Sequence, residues 1–524
     1  MEAEREGHVG TMPEHPDQSR EASIRGWLAA NPLAALLVFG AILRLLAALF
    51  SPGFLASDDH HVLVVRAAQL AAGIPLPPTY QRSFLYPWAV SLVMTAARAA
   101  GVSAPATEML IVRLLQAAVS LLAIVLVFRI LERRADRESA ILGGLLISAL
   151  FVFPITSVHQ FEEVACQVPL LAGCWWLVRA EDDPAHAAAW GLLAGLAAGT
   201  ALILRFQLLS FLLPLLVLVW YRRPRDLALA LTVGLLLMLG IQCASNWQIN
   251  GDPWFSLRRY YGPVVAAPDV LATDAGGYPS GPPWQYLLTL LWMFVPPFSL
   301  VAIAAMVRGG RRLPLFGLPA LAFLIAHSLI ANKQERFLLP ILPVLALLAG
   351  AGFAGVRAWF DGRGWSGAYR GLWAWAAGVN ALLLLVSVFT YGKKDRVAPL
   401  VAIERRHDAT GVIVAQYAYR FVVPVYYLGW PRPTLMVFSQ RDSLLSDARR
   451  VRGSAPRPNY LVLYSTDVPG DSAALTSALA APLVRLATVS PSLGDWLAHE
   501  ANPGHNQARV AVVYGIGATT SSGP

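Results

Sequence analysis

The chain has 524 residues, 56% of them hydrophobic and only 14% charged, with a formal net charge of +9. A soluble domain carries about 25% charged residues, so this composition, with a mean hydropathy of +0.53, excludes a purely soluble enzyme, a disordered chain and an ordinary nucleic-acid-binding protein. The basic excess needs no polyanionic partner, because basic cytoplasmic loops of a membrane protein produce the same surplus.

Residues 1–25 are polar and charged and read as a disordered cytoplasmic tail. The apolar run at 27–50 is long enough to cross a hydrocarbon core of about 30 Å and too long for a signal-peptide core. Further apolar runs lie at 109–128, 139–156, 162–179, 187–203, 206–220, 226–245, 285–306, 313–330, 338–356 and 371–390, which predicts about eleven spans. Charge decides the shorter run at 83–100. Four connections are Arg-rich: Arg129/Arg133/Arg134/Arg137, Arg222/Arg223/Arg225, Arg308/Arg311/Arg312 and Arg357/Arg363/Arg370. All four fall on the cytoplasmic side only if 83–100 does not span. The segments 58–73 and 83–100 therefore read as two juxtamembrane helices in one long outer loop.

That topology gathers the polar segments that look chemical on the outer face: the 51–108 loop, the turn at 157–162, Arg205, the 246–284 loop, the 332–337 loop and everything after residue 391. The scarcity of lysine (Lys333, Lys393 and Lys394 alone) reads as codon bias of a GC-rich, bacterial genome, which places the chain in a bacterial inner membrane. Cys166, Cys174 and Cys243 each sit in an apolar run and form no disulfide or metal pattern. Residues 392–524 are less apolar, with alternating runs at 411–416, 460–464 and 510–514, a polar Arg/Asp segment at 440–452 and an Ala-rich helical stretch at 473–481. The organisation expected is a tail (1–25), an all-α polytopic catalytic domain (26–391) and a small extracytoplasmic α/β domain (392–524).

Four features could carry chemistry. Ser57-Asp58-Asp59-His60-His61 follows the first span, where Ser57 or Asp58 would cap a helix or a carboxylate would act as general base at the membrane surface. Neighbouring residues on a helix diverge, which weighs against a metal site there. Arg82-Ser83-Phe84-Leu85-Tyr86-Pro87 reads as an interfacial helix start with an aromatic anchor. Asn332-Lys333-Gln334-Glu335-Arg336-Phe337 reads as a solvated hairpin or as a cationic clamp for a phosphate. Arg44, Arg113, Glu162, Glu163 and Arg205 lie within or at the edges of apolar runs, where a charge costs about 2.5–3.5 kcal/mol at the bilayer centre. Snorkelling would accommodate Arg44 and Arg113.

Together these segments resemble the mannosyltransferases of glycosyltransferase family 22, which act in GPI-anchor and N-glycan assembly. The acidic pair of that family's first outer loop corresponds to Asp58 and Asp59, its Arg-Ser…Tyr-Pro segment to Arg82–Pro87, and its His-Lys-Glu-x-Arg-Phe signature to Asn332–Phe337. Glu162 and Arg205 also agree with it, and the likeness covers about residues 27–345. Two positions depart, Asn332 for His and Gln334 for Glu. Asn donates a hydrogen bond but carries no proton, which leaves the sugar preference open.

The resemblance implies a GT-C fold and a donor sugar, mannose foremost, carried on a polyprenyl phosphate. The acceptor hydroxyl would belong to a glycan, glycolipid or protein. In this reading Asp58 is the base of an inverting displacement, and Asp59 positions the acceptor or supports Asp58. Lys333, Arg336 and Arg205 receive the phosphate, while Glu335 orients Arg336. Asn332, Glu162, Arg82 and Tyr86 line or support the site. No metal and no cofactor is expected, because fixed cations serve the phosphate. The alternatives are a GT-C enzyme of the protein O-mannosyl or lipid A aminoarabinose type, a flippase for lipid-linked sugars, and an outer domain that is itself the main glycan-binding part. Transporters spread charge through the bundle and often show repeats, whereas here charge gathers at one face and no repeat is visible.

Overall fold

The computed structural model describes residues 26, 30–56, 59–266, 280–418, 420–430, 432–503 and 506–517. The expected tail, Ser57 and Asp58 lie outside the described residues. The described parts of the eleven apolar runs are mostly helical, but they are not eleven full spans. Six helices are long and apolar enough to cross a membrane: Pro32–Phe50, Pro105–Arg134, Pro184–Leu204, Arg225–Asn250, Glu335–Asp361 and Ser366–Val388. The run at 285–306 is broken into Gln285–Met293 and Phe298–Arg312, which meet at 110°. Pro296 and Pro297 fall at the break, where neither can donate a backbone hydrogen bond. The remaining runs are shorter, among them Arg137–Ala149, Gln167–Asp182 and Pro314–Leu329. The run at 162–179 is split because the turn Glu162–Ala165 precedes the helix Gln167–Asp182.

Small residues set the close packing. The Gly/Ala-rich helix Ala187–Leu204 lies against Arg225–Asn250 so tightly that a Cβ on Gly195 would stand 2.2 Å from the Leu231 carbonyl oxygen. The helix Leu342–Asp361 is buried along most of its length, and a Cβ on Gly352 would meet the Ala305 carbonyl at 1.9 Å. Between Pro32–Phe50 and Pro105–Arg134, the short helices His60–Val64 and Val65–Ala71 pack beside Leu85–Ala99.

The four Arg-rich connections share one end of the bundle. Arg133 and Arg134 pair with Asp182 at 2.6 and 2.8 Å, and Arg134 with Glu181 at 3.1 Å. Arg223 also pairs with Glu181, Arg312 with Asp136 (3.3 Å) and Arg357 with Glu138 (3.1 Å).

Arg44 and Arg113 do not snorkel. Arg44 is buried, with Nε donating to Ser120 Oγ at 2.7 Å and Nη2 to the Ile147 carbonyl at 2.9 Å. That carbonyl lies in the last turn of Arg137–Ala149, where helix carbonyls lack intrahelical partners. Arg113 Nε likewise donates to the Ala48 carbonyl at 3.0 Å. Arg44→Met is therefore expected to destabilise the bundle by about 1–3 kcal/mol for the groups it orphans. The measurement is the melting temperature in detergent; an unchanged value would refute this role.

Beyond Ser366–Val388 the chain passes beside the end of the first span, where the Gly392 amide donates to the Pro52 carbonyl at 2.9 Å. After the helix Lys394–Glu404 it forms a five-stranded sheet. Its strands are β1 (Gly411–Gln416), β2 (Thr434–Phe438), β3 (Tyr460–Tyr464), β4 (Leu483–Val489) and β5 (Ala511–Ile516), in the order β2-β1-β3-β5-β4. β1 runs parallel to β2 and β3; β5 is antiparallel to β3 and β4. β1 and β3 are buried throughout, as the short apolar runs suggest, whereas β2 and β4 are partly exposed and carry a weaker sequence signal. The polar segment forms the helix Arg441–Arg452, and the Ala-rich stretch is helical to Leu479, where Ala480 turns left-handed and ends the helix Val468–Leu479.

This sheet region docks on the short helices that follow Pro32–Phe50 and on the start of Pro105–Arg134. Tyr426 Oη donates to Glu108 Oε2 at 2.8 Å, and His61 Nε2 lies 3.3 Å from the Val422 carbonyl oxygen. His60 stacks between Phe54 and Tyr427 with ring centroids 4.7 and 5.3 Å away. Burial lowers the His60 pKa to about 3, so the ring is a neutral packing element.

Candidate active site

Five chain segments meet at the end of the bundle away from the Arg clusters. Asp59 comes from the turn before His60–Val64 and Arg82 from the loop before Leu85–Ala99. Glu162 and Glu163 begin a short helical turn. Arg205 sits where Ala187–Leu204 ends, held extended at φ −145° and ψ 98°. Arg336 lies in the 3₁₀ segment Glu335–Ile341.

Asp59 is 1% exposed and joins two guanidiniums from distant parts of the chain. Its Oδ1 accepts from Arg82 Nη1 at 2.5 Å, and its Oδ2 accepts from Arg336 Nη1. Arg82 Nη1 also lies 3.4 Å from Glu162 Oε2. Arg205 stands 2.8 Å from Glu163 Oε1 and 3.8 Å from Glu162 Oε2. Arg336 Nε donates to Gln334 Oε1 at 2.7 Å and lies 3.7 Å from Glu163 Oε1. Gln334 Nε2 in turn donates to Asn332 Oδ1 at 3.2 Å. Burial works against the charge on Arg82, but Glu162 and Asp59 outweigh it and hold its pKa well above the ordinary value. Three guanidiniums are thus oriented by ion pairs to three buried acidic side chains, of which Glu162 has its pKa pushed up to about 7 by burial.

The network faces a cavity of about 950 Å³ whose lining includes Arg82, Glu162, Arg205, Asn332 and Arg336. That size suits an extended small-molecule ligand. Leu209 and Leu213, both exposed on the outside of the bundle, line it as well. The cavity therefore runs from a cationic centre towards an apolar outer surface.

Several expected roles change. Lys333 is 4% exposed and is not part of the cavity wall. Its ammonium donates to the His327 and Ser328 carbonyls, each at 2.9 Å, and to that of Ile330. All three protons thus serve the carboxyl end of Pro314–Leu329, where a cation meets unpaired carbonyls and the negative end of the dipole. Lys333→Met should lower the melting temperature while leaving the donor KM of the folded fraction within about twofold of wild type. A donor KM raised without loss of stability would restore Lys333 to the phosphate clamp. Glu335 is exposed, and Asp59, Gln334 and Glu163 hold Arg336 in its place. Tyr86 is buried behind the site, its hydroxyl accepting from Gln116 Nε2 at 2.7 Å. Asp59 has both oxygens committed to guanidiniums, which makes it a buttress.

Other cavity residues were not singled out in the sequence. Arg66, Tyr80, Gln207, Arg259, Tyr260 and His327 line the cavity. The cluster Arg258-Arg259-Tyr260-Tyr261 in the 246–284 loop was a readable signal, since basic and aromatic residues interleave there. It lies on the helix Phe255–Ala266. Among the described residues no group of three or more His, Cys, Asp or Glu is placed to hold a metal ion.

A polytopic bundle with a charged cavity at one end, together with a small C-terminal α/β sheet region, has the architecture of the GT-C membrane glycosyltransferases. The chain belongs to the Alg9-like mannosyltransferase family, whose model matches residues 79–403. That range holds Arg82, Glu162, Arg205 and the 332–337 segment and begins after Asp59. The fold is similar to that of ArnT from Cupriavidus metallidurans bound to undecaprenyl phosphate, at 14% identity and a TM-score of 0.59, covering 94% of this chain and 100% of that one. It is also similar to the Archaeoglobus fulgidus oligosaccharyltransferase in the apo form, at 12% identity and a TM-score of 0.52, covering 86% of this chain and 72% of that one. The archaeal AglB structure with an inhibitory peptide and a dolichol-phosphate matches at 13% identity and a TM-score of 0.52, covering 84% and 70%. No curated protein matches the sequence significantly.

Proposed function

We propose that this membrane glycosyltransferase moves a sugar, mannose foremost, from a polyprenyl-phosphate donor to an acceptor hydroxyl at the outer face of a bacterial plasma membrane. The observation that carries the reading is the set of guanidiniums of Arg82, Arg205 and Arg336 on a cavity reaching the apolar surface. A polyprenyl-phosphate donor has its phosphate at headgroup depth and its chain in the bilayer. Fixed cations would meet the charge that grows on the departing phosphate, without a metal. Asp58, next to the buttress Asp59, would take the acceptor proton while the hydroxyl oxygen attacks the anomeric carbon from the side opposite the phosphate, inverting its configuration.

Two of the solved structures that share the fold hold undecaprenyl phosphate and dolichol-phosphate, which favours such a carrier here. The Arg clusters at the opposite end favour an outward-facing site by the positive-inside rule. A membrane assay with radiolabelled polyprenyl-phosphate mannose, set against other polyprenyl-phosphate sugars, tests the reading. Mannose transfer that disappears in Asp58→Asn is the expected result. Exclusive use of another sugar would replace mannose, and transfer from no polyprenyl-phosphate donor would overturn the carrier.

A further inference from the structure

We propose that the helix Leu493–Ala501 is a lipid anchor. Its apolar face lies in the headgroup–acyl boundary of the bilayer and holds the C-terminal sheet region at the membrane surface. The inference rests on the membrane span beside it and is independent of the donor.

Leu493 is 62% exposed, Trp496 50% and Leu497 42%. At i, i+3 and i+4 they form one face of the helix. Its height relative to the bilayer is set by contacts with the chain leaving the last span, Ser366–Val388. Gly494 lies so close to Thr390 that a Cβ there would meet Thr390 Oγ1 at 2.2 Å. Asp495 accepts from the backbone amides of Lys393 and Lys394, each at 3.0 Å, and its own amide is capped by Ser492 Oγ at 3.1 Å.

A helix advances about 1.5 Å per residue. Residues 493–497, which carry all three apolar side chains, therefore stay within about 5 Å of the level of Thr390. The interfacial zone on each side of a hydrocarbon core is about 5–7 Å thick. Phe50 and Phe389, each half exposed and 5.3 Å apart by ring centroid, mark the lipid-facing rim at the same corner. Trp and Leu in this setting are the residues that settle at the boundary, the indole keeping its N–H near water. Glu500 falls on the same face one turn further along. The helix therefore meets the surface obliquely, deepest at its amino end.

Single cysteines at Leu493→Cys, Trp496→Cys and Glu500→Cys test this in the full chain, with Ser446→Cys on the exposed side of Arg441–Arg452 as reference and Cys243→Ser as background. Each is labelled with an environment-sensitive fluorophore in phospholipid nanodiscs. It is then quenched either by lipids carrying a spin label on the acyl chain or by aqueous iodide. Labels at 493 and 496 should be quenched several-fold more by the lipid quencher than the label at 446, with 500 intermediate. Iodide quenching at 496 equal to that at 446 would overturn the proposal. Protection from both quenchers would also overturn it, because protein, such as a second copy of this chain, would then cover the face.

Discussion

Asp58→Asn is expected to abolish sugar transfer, with kcat falling about 100- to 10,000-fold as for loss of a general base, while expression and melting temperature are retained. Asp59 holds Arg82 through one oxygen and Arg336 through the other, which leaves it poorly placed to collect a proton. Asp58 follows the helix Pro32–Phe50 by a few residues and directly precedes the buttress. Its loss should strike kcat with little change in donor KM, because it is assigned no contact with the phosphate. Full activity in Asp58→Asn would remove it from the mechanism.

The second large effect is expected at Arg336. Arg336→Ala should lower kcat/KM for the lipid-linked donor about 100- to 1,000-fold, the range seen when a buried donor to developing negative charge is removed. Asp59→Asn keeps both guanidiniums but loosens them, and a positioning loss of about 10- to 100-fold is expected, as for other outer-shell partners. Arg336 and Asp59 are in direct contact, so the double variant should lose much less than the product of the two single losses. The acceptor KM is the control, since neither residue is assigned to the acceptor. Additive losses, or an effect confined to the acceptor, would refute the arrangement.

The sequence alone was informative where the bilayer imposes simple rules. Apolar runs marked every helix of the bundle, and the parity of the Arg-rich connections kept 83–100 out of the count of spans. The same clusters meet through ion pairs to Asp136, Glu138, Glu181 and Asp182 at one end of the structure. Alternating runs located β1, β3 and β5, whereas β2 and β4 are partly exposed and gave a weaker pattern. Hydropathy could not locate the 110° break at 294–297 or the split after the Glu162–Ala165 turn, because a run of apolar residues reports burial and not direction.

Residue types and motif order drew attention to Asp59, Arg82, Glu162, Arg205 and Arg336, which lie far apart in the chain. Their partners were decided only by tertiary structure. Lys333 and Arg336 look equivalent in the signature, yet one ammonium turns to the carbonyls ending Pro314–Leu329 and the other cation faces the cavity. Arg44 looked like a charge that would snorkel, and it instead satisfies carbonyls of a helix that ends inside the bundle. The physical reason is common to both. Composition and spacing determine that a charge sits at a given depth in a membrane protein, because burying it unpaired is costly. Which carbonyl or carboxylate neutralises it depends on where other helices end, and that is known only once they are packed together.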